Sequence, residues 1–362
     1  MIRETISDKQ AISMMTMFII GSSIVLGVGS EAKQDIWLAI IIGILFASII
    51  IFVYVKIHSL FPEKNLFEIL NTIFGKYLGK FISLLYIWYS FHLGALVFHN
   101  FFQFIKVVSF PETPEYVPLV FMGIVCIWVV KEGMEVLGRM SFFFTILLTI
   151  IIILVISLNS SVMNINNIRP MLYNGIKPVL NSAFGIFSFP FAETVIFLGA
   201  FSFDKNKNNP FKIYYISLLF GGTIILLVSL RNILVLGCSF LESLYFPAYT
   251  AVELIEIGEF IQRIEVAVSV VFLYAGFIKI SSCLFCTLKG IENLFNLDSY
   301  KVIAAPVGLL MMTFSCSLYE SIMEMQEWAF MVYKYYAFPF QVIIPLIILI
   351  AAKIKLKKQN SS

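Results

Sequence analysis

Three ionisable residues stand inside runs that are otherwise apolar. Glu193 closes the stretch FSFPFAE, Phe187 to Glu193, within a run extending from about residue 183 to 201, while Arg231 and Lys279 lie inside two later runs. Charge at apolar depth is expensive unless it pairs, meets a ligand or carries protons, so each of the three marks a candidate site. Pro190, three residues before Glu193, removes a backbone donor and crowds the preceding turn. A second interrupted stretch, GSSIVLGVG from Gly21 to Gly29, holds glycines that tolerate unwinding. Backbone groups freed by unwinding at this depth must line a cavity or meet a ligand. Helix N-termini suit a ligand carboxylate, and unwound carbonyls suit an ammonium. The chemistry on offer is recognition of a small polar molecule, although glycines such as Gly21, Gly27 and Gly29 also serve close helix packing.

Catalysis and metal binding find little support. There is no Walker loop, no HExxH and no nucleophile–base pair, so an enzyme is not expected. His92 and His99 lie two turns apart in the third apolar run, without the acidic partner a metal pair would want. Cys283 and Cys286 form a CxxC embedded in an apolar run. With Cys126, Cys238 and Cys316 they read as packing residues. No cofactor or metal is expected.

The elements that must position these residues are membrane helices. Of 362 residues, 60% are hydrophobic and 13% charged, with a mean hydropathy of +0.93, far from the roughly 25% charged residues of soluble domains. Ten apolar runs are legible, at about 11–30, 36–57, 81–107, 116–131, 139–158, 183–202, 212–238, 264–289, 301–319 and 336–353. Most reach or approach the roughly 20 residues that a spanning helix needs. The expected fold is an all-α membrane protein, a single polytopic domain over 1–362 ending in a basic cytoplasmic tail at 354–362. The net charge of +3 is scattered over loops and gives no nucleic-acid surface.

Lys and Arg concentrate in alternate loops, at Lys56, Lys64, Lys76 and Lys80, at Lys131 and Arg139, at Lys205, Lys207 and Lys212, and in the tail. The positive-inside rule then puts both termini in the cytoplasm, which agrees with an even number of spans. The tail also suits contact with anionic headgroups of the bilayer. On the external side, residues 240–262 set Val252, Ile255 and Phe260 against Glu253, Glu256 and Glu259, a short amphipathic helix that would be a lid, a partner surface or an interfacial helix. Splitting the runs five and five, about 11–158 and 183–353, inverts the second half relative to the first. The two interrupted helices, one and six, then occupy equivalent positions, the pattern of transporter-type binding sites.

Several segments resemble the B subunit of spore germinant receptors: ISDKQ, GSSIVLGVGSEAKQDIWLA, FPEKNLFEILNTIFGKYLGK, FPETPEYV, KEGMEVLGR and IRPMLYNGIKPVLNSAFGIFSFPFAE. The resemblance runs along nearly the whole chain and is most specific in its first 200 residues. It implies the inverted-repeat fold of the amino acid, polyamine and organocation superfamily. It also implies the inner membrane of the spore, a complex with A and C subunits, and a small germinant, commonly an amino acid, as ligand. Its pocket, lined by helices one, three, six and eight, maps onto Gly21, Ser22, Ser23, Gly27 and Gly29, onto Phe98 and Phe102, onto Phe189, Pro190, Phe191 and Glu193, and onto Lys279 and Ser282. Three function classes follow: a nutrient sensor, a proton- or sodium-coupled amino acid transporter, and a conduit for water or ions.

Overall fold

The computed structural model describes residues 6–108, 112, 114, 116–204, 206–254 and 264–359. Among these there is no strand, and helices fill the ten apolar runs. They are α1 (Asp8–Ile20), α2 (Ile36–Leu60), α3 (Leu66–Val108), α4 (Tyr116–Glu132), α5 (Met134–Asn159), α6 (Ile176–Ala200), α7 (Pro210–Leu236), α8 (Glu265–Phe295), α9 (Ala304–Ser315) and α10 (Ile322–Lys358). Seven of them are long and apolar enough to cross a membrane. The other three, α1, α4 and α9, have 13, 17 and 12 residues. The apolar windows of α6 and α8 are 83% and 78% buried, against 28% for α5. The first two are therefore inner helices, and α5 turns most of its surface outward. In α1, Met14, Met15, Met17, Phe18, Ile19 and Ile20 are all fully buried, which makes it inner as well.

The first and last described residues lie on one face of the bundle. Asn208, in the α6–α7 loop, donates to Ile6 O at 3.0 Å, and Glu63 N, between α2 and α3, donates to Phe203 O at 2.8 Å. Lys355, near the end of α10, donates to Thr72 O at 2.5 Å, and Lys80 to Leu294 O at 2.7 Å. The opposite face is tied by Leu172 N to the Asp35 carboxylate at 3.0 Å and by Asn159 Nδ2 to Ala251 O at 2.9 Å.

Local sequence explains where the inner helices start and break. α1 begins with a capping box: Gln10 N donates to Ser7 Oγ at 3.4 Å, and Ser7 N to Gln10 Oε1 at 2.9 Å. It stops at Gly21, φ 24° and ψ −124°, and resumes as one turn, Ser23–Leu26. α6 is regular to Ile186, then passes through a π-turn (Phe187–Phe191), a 3₁₀ stretch (Ala192–Ile196) and a last α-turn (Phe197–Ala200). Within that π-turn Phe189 is extended, φ −127° and ψ 113°. The two interrupted helices are thus the first and the sixth, where the glycine and proline patterns place them.

Two helices start more than ten residues before their apolar runs. α3 opens at Leu66 instead of near residue 81, because a first amphipathic piece precedes Gly75, whose φ of 77° bends the chain. α10 opens at Ile322 instead of near 336: Ser321 Oγ accepts from Glu324 N at 3.2 Å, and the polar residues that dilute its hydropathy are helical all the same. It contains two further π-turns, Trp328–Val332 and Pro339–Ile343. Its last turns include residues 354–359 of the basic tail.

Of the external amphipathic segment, the short helix Pro247–Glu253 is described; Ile255, Glu256, Glu259 and Phe260 lie outside the described residues. That helix buries Pro247, Ala248, Ala251 and Val252 against α7, α8 and the turn Ser23–Leu26.

Candidate functional site

The two broken helices and α8 converge on one ion pair. Lys279 Nζ lies 2.5 Å from Glu193 Oε2, with the two side chains 0% and 1% exposed. Tyr333 OH of α10 donates to Glu193 Oε1 at 2.6 Å. A chain of polar groups continues from there. Tyr333 and Tyr89 share a hydrogen bond of 3.1 Å, and Gln341 Nε2 donates to Tyr89 OH at 3.0 Å and to Ser188 O at 2.8 Å. Ser188 Oγ donates to Gln341 Oε1 at 3.0 Å, and Tyr54 OH to Gln341 O at 2.6 Å. A buried network satisfied on this scale holds one geometry, because every unmade bond in it carries a full desolvation penalty.

Gly21 makes room for the pair. A Cβ at this position would stand 2.5 Å from Lys279 Cδ, so the α1 break gives both the turn and the channel for the lysine stem. The ammonium lies 4.9 Å from the ring centroid of Phe18 on α1 and 4.9 Å from that of Phe189 in the α6 break, within cation–π range.

The freed backbone is largely answered from within the chain. Ser23 Oγ donates to Ile19 O at 2.9 Å and to Ile20 O at 2.7 Å. In α6, Phe187 O accepts from Ala192 N, Ser188 O from Gln341, Phe191 O from Thr194 Oγ1 at 2.8 Å, and Ala192 O from Tyr54 OH at 3.3 Å.

Beside the ion pair is a cleft between α1, α3, α6 and α10. Its walls include Ser22 and Leu26, one face of α3 at Leu93, Leu96, Val97 and Asn100, then Phe189 and Glu193, and from α10 Met325, Trp328 and Tyr333. The cavity is small, about 30 Å³, room for a water or two. Ser22 Oγ and Trp328 Nε1 are both buried without a hydrogen-bond partner among the described residues, unusual for polar atoms in a packed interior. Further out, a cavity of about 90 Å³ is bounded by Gly27, Asn232, Glu242, Pro247 and Gln326. Another, of about 20 Å³, is bounded by Gly29, Glu31, Asn181 and Phe189. At its rim Lys334 Nζ lies 3.6 Å from Glu31 Oε1 and donates to Asn181 Oδ1 at 3.2 Å, while Asn181 Nδ2 donates to Glu31 Oε2.

Of the sequence-derived candidates, Gly21, Ser22, Phe189, Glu193 and Lys279 meet at the centre, and Ser23 caps the α1 break. Gly27 and Gly29 border the outer cavities. Gly21 and Lys279 stand behind the wall of the central cleft, and Phe98, Phe102, Pro190, Phe191 and Ser282 are likewise not among the residues lining it. Phe102 packs on His99 at 5.7 Å, Phe191 is fully buried with its ring tip toward Gly222 of α7, and Ser282 Oγ donates to Ile278 O at 2.8 Å. The face of α3 toward the cleft is rotated from the one chosen, and α10 joins the walls. Sequence reasoning missed Tyr333, Trp328 and Gln341. Gln341, a lone amide in an apolar run, and the tyrosine cluster YKYY at 333–336 were the available signals.

Arg231 stands apart. Its guanidinium is 3% exposed and does not reach out to the interface; it donates to Asn159 Oδ1 at 3.2 Å and to Ala248 O at 3.4 Å. It has no carboxylate partner among the described residues.

The chain matches the spore germination protein family over residues 5–322. It is 29% identical over 361 residues to spore germination protein KB of Bacillus subtilis (strain 168), covering 99% of this chain and 97% of that protein. With putative spore germination protein YfkT of the same organism it shares 24% identity over 279 residues, 77% of this chain and 76% of the other. Among solved structures it superposes on an outward-open, substrate-bound Na⁺-coupled sialic acid symporter with a TM-score of 0.63 at 12% identity, over 96% of this chain and 89% of that one. On MhsT in complex with L-phenylalanine the TM-score is 0.61 at 12% identity, over 94% and 97%. At such identities the likeness is one of fold, that of transporters built from two inverted five-helix repeats with interrupted first and sixth helices. This all-α membrane chain, with both breaks closed on a buried carboxylate–ammonium pair, belongs to the spore germination protein family.

Proposed function

We propose that the protein is the nutrient-sensing subunit of a spore germination receptor. It binds a small polar germinant in the cleft beside Glu193 and Lys279, and signals the occupied state to A and C partner subunits. The observation that carries this reading is the cleft itself, where both helix breaks meet one buried ion pair and two polar atoms, Ser22 Oγ and Trp328 Nε1, lack partners among the described residues. A cavity of about 30 Å³ is too small for a nutrient molecule, so binding must favour a more open arrangement over this one, a shift of population that partners can sense. The face bearing the termini also carries Lys64, Lys80, Lys207 and Lys355, which supports placing it on the core side of the spore inner membrane.

Transport is the second reading, favoured by the fold shared with a Na⁺-coupled symporter. Purified protein in proteoliposomes separates the two. Wild type and Glu193→Gln are assayed side by side with radiolabelled amino acids and nucleosides, both for saturable binding and for accumulation. Binding without accumulation, weakened in the variant, is the result expected of a sensor. Accumulation driven by a proton or sodium gradient would make the protein a transporter first.

A further inference from the structure

The environment of Lys279 Nζ is the one that would recognise a free alkylammonium ion. A carboxylate oxygen lies at 2.5 Å and two aromatic faces, Phe18 and Phe189, at 4.9 Å. Carboxylate and aromatic walls together form a cation cage, and its members come from the two broken helices. The chain fills this cage from α8, by a stem that passes through the space left at Gly21.

The charge left for a ligand is then small. Among the described residues Glu193 is the sole carboxylate in the wall of the cleft, and its two oxygens already accept from Lys279 and Tyr333. A second ammonium would stand against the Glu193–Lys279 pair with no counter-charge of its own. The partnerless atoms are of another kind: an indole N–H on Trp328, which only donates, and a hydroxyl on Ser22, which donates or accepts. They call for oxygen acceptors.

We propose that Lys279 is a resident cation in an ammonium position behind the wall of the cleft, on the far side of Glu193. The ligand taken beside it carries no ammonium group, and binds through hydroxyl or carbonyl oxygens held by Trp328 Nε1 and Ser22 Oγ. This rests on the cleft being the ligand site and narrows the class of germinant to small molecules without an amine.

The test uses the purified full chain in detergent, with propylammonium and 1-propanol as probes of equal size. Lys279→Ala vacates the cage. Propylammonium should stabilise this variant against heat saturably, at a concentration at least tenfold below any effect on wild type, while 1-propanol does not. Adding Glu193→Gln should abolish the effect. Where Lys279→Ala is poorly recovered, the yield of monodisperse protein solubilised with propylammonium, against 1-propanol, gives the same readout. Propylammonium acting equally on wild type and variant, or on neither, overturns the proposal. On wild type, lactamide should bind more tightly than alaninamide and lose affinity in Trp328→Phe; alaninamide binding as well or better also overturns it. The propylammonium result does not depend on signalling. A protein that passes it yet binds no nutrient in proteoliposomes would remove the receptor reading and leave the caged lysine standing.

Discussion

Tyr333 and Lys334, consecutive in α10, hold carboxylates at two depths: Tyr333 OH is 2.6 Å from Glu193 Oε1, and Lys334 Nζ is 3.6 Å from Glu31 Oε1. Neighbouring helical residues point about 100° apart, so one turn of one helix touches both the α6 break and the exit of α1. The inner contact is fully buried, whereas Glu31 is 26% exposed.

That difference predicts an order. Tyr333→Phe removes a hydrogen bond to a buried charged group, about 1.5–3 kcal/mol, and Lys334→Met removes a 3.6 Å ion pair whose carboxylate is partly solvated, about 1 kcal/mol or a little more. Thermal unfolding in detergent should show Tyr333→Phe as the less stable variant. A Lys334→Met protein that melts lower would show that the outer contact is the stronger of the two.

Glu193→Gln leaves an ammonium buried without its partner, and the expected loss is about 3–5 kcal/mol. Removing both charges in Glu193→Gln/Lys279→Met should recover at least half of that, since the two residues are in direct contact and their effects do not add. A double variant no more stable than the single would mean that the network, and not the charge, holds the site together.

Gly21 and Gly175 both have positive φ, 24° and 76°, but only Gly21 has a close neighbour: nothing lies within 4 Å of a Cβ at Gly175. Gly175→Ala should therefore show backbone strain alone, about 1–2 kcal/mol. Gly21→Ala should add displacement of Lys279 and lower the melting temperature further. Equal effects would show that the lysine stem yields easily.

Ser22→Ala and Trp328→Phe remove atoms that have no hydrogen-bond partner among the described residues, so both variants should keep or slightly gain stability. In spores whose own copy is replaced, both should need more nutrient to germinate. Unchanged nutrient response in both would take the cleft out of recognition.

What the sequence revealed and what it hid have separate causes. Glu193, Lys279 and the breaks at Gly21 and Pro190 are anomalies against an apolar background, so they are visible without a structure. Phe98 and Phe102 rest on the helix-three wall that the resemblance implies and on a spacing of four, and spacing gives which residues share a face but not where that face points. The helix turns Leu93, Leu96, Val97 and Asn100 to the cleft instead, a phase set by packing against α8 that no single helix encodes. Trp328 and Tyr333 were hidden differently. Glu324, Glu327 and Lys334 lower the hydropathy of their stretch, so it reads as an external loop, yet Lys334 is buried because Glu31 and Asn181 meet it. The pairing of Glu193 with Lys279 and not with Arg231 is a matter of three dimensions, since 86 residues separate the partners in the chain.

The two π-turns of α10, Trp328–Val332 and Pro339–Ile343, carry a further consequence. Each holds one residue more than an α-helical turn would need. Deleting a single residue within either would convert it to a regular turn with an unbroken ladder of backbone bonds and leave the helix on the two sides close to its present phase, whereas the same deletion in a regular turn would rotate one side by about 100° against the other. The stretch between them bears Tyr333 and Lys334, so the helix keeps its adjustable length on either side of the residues whose aim matters most.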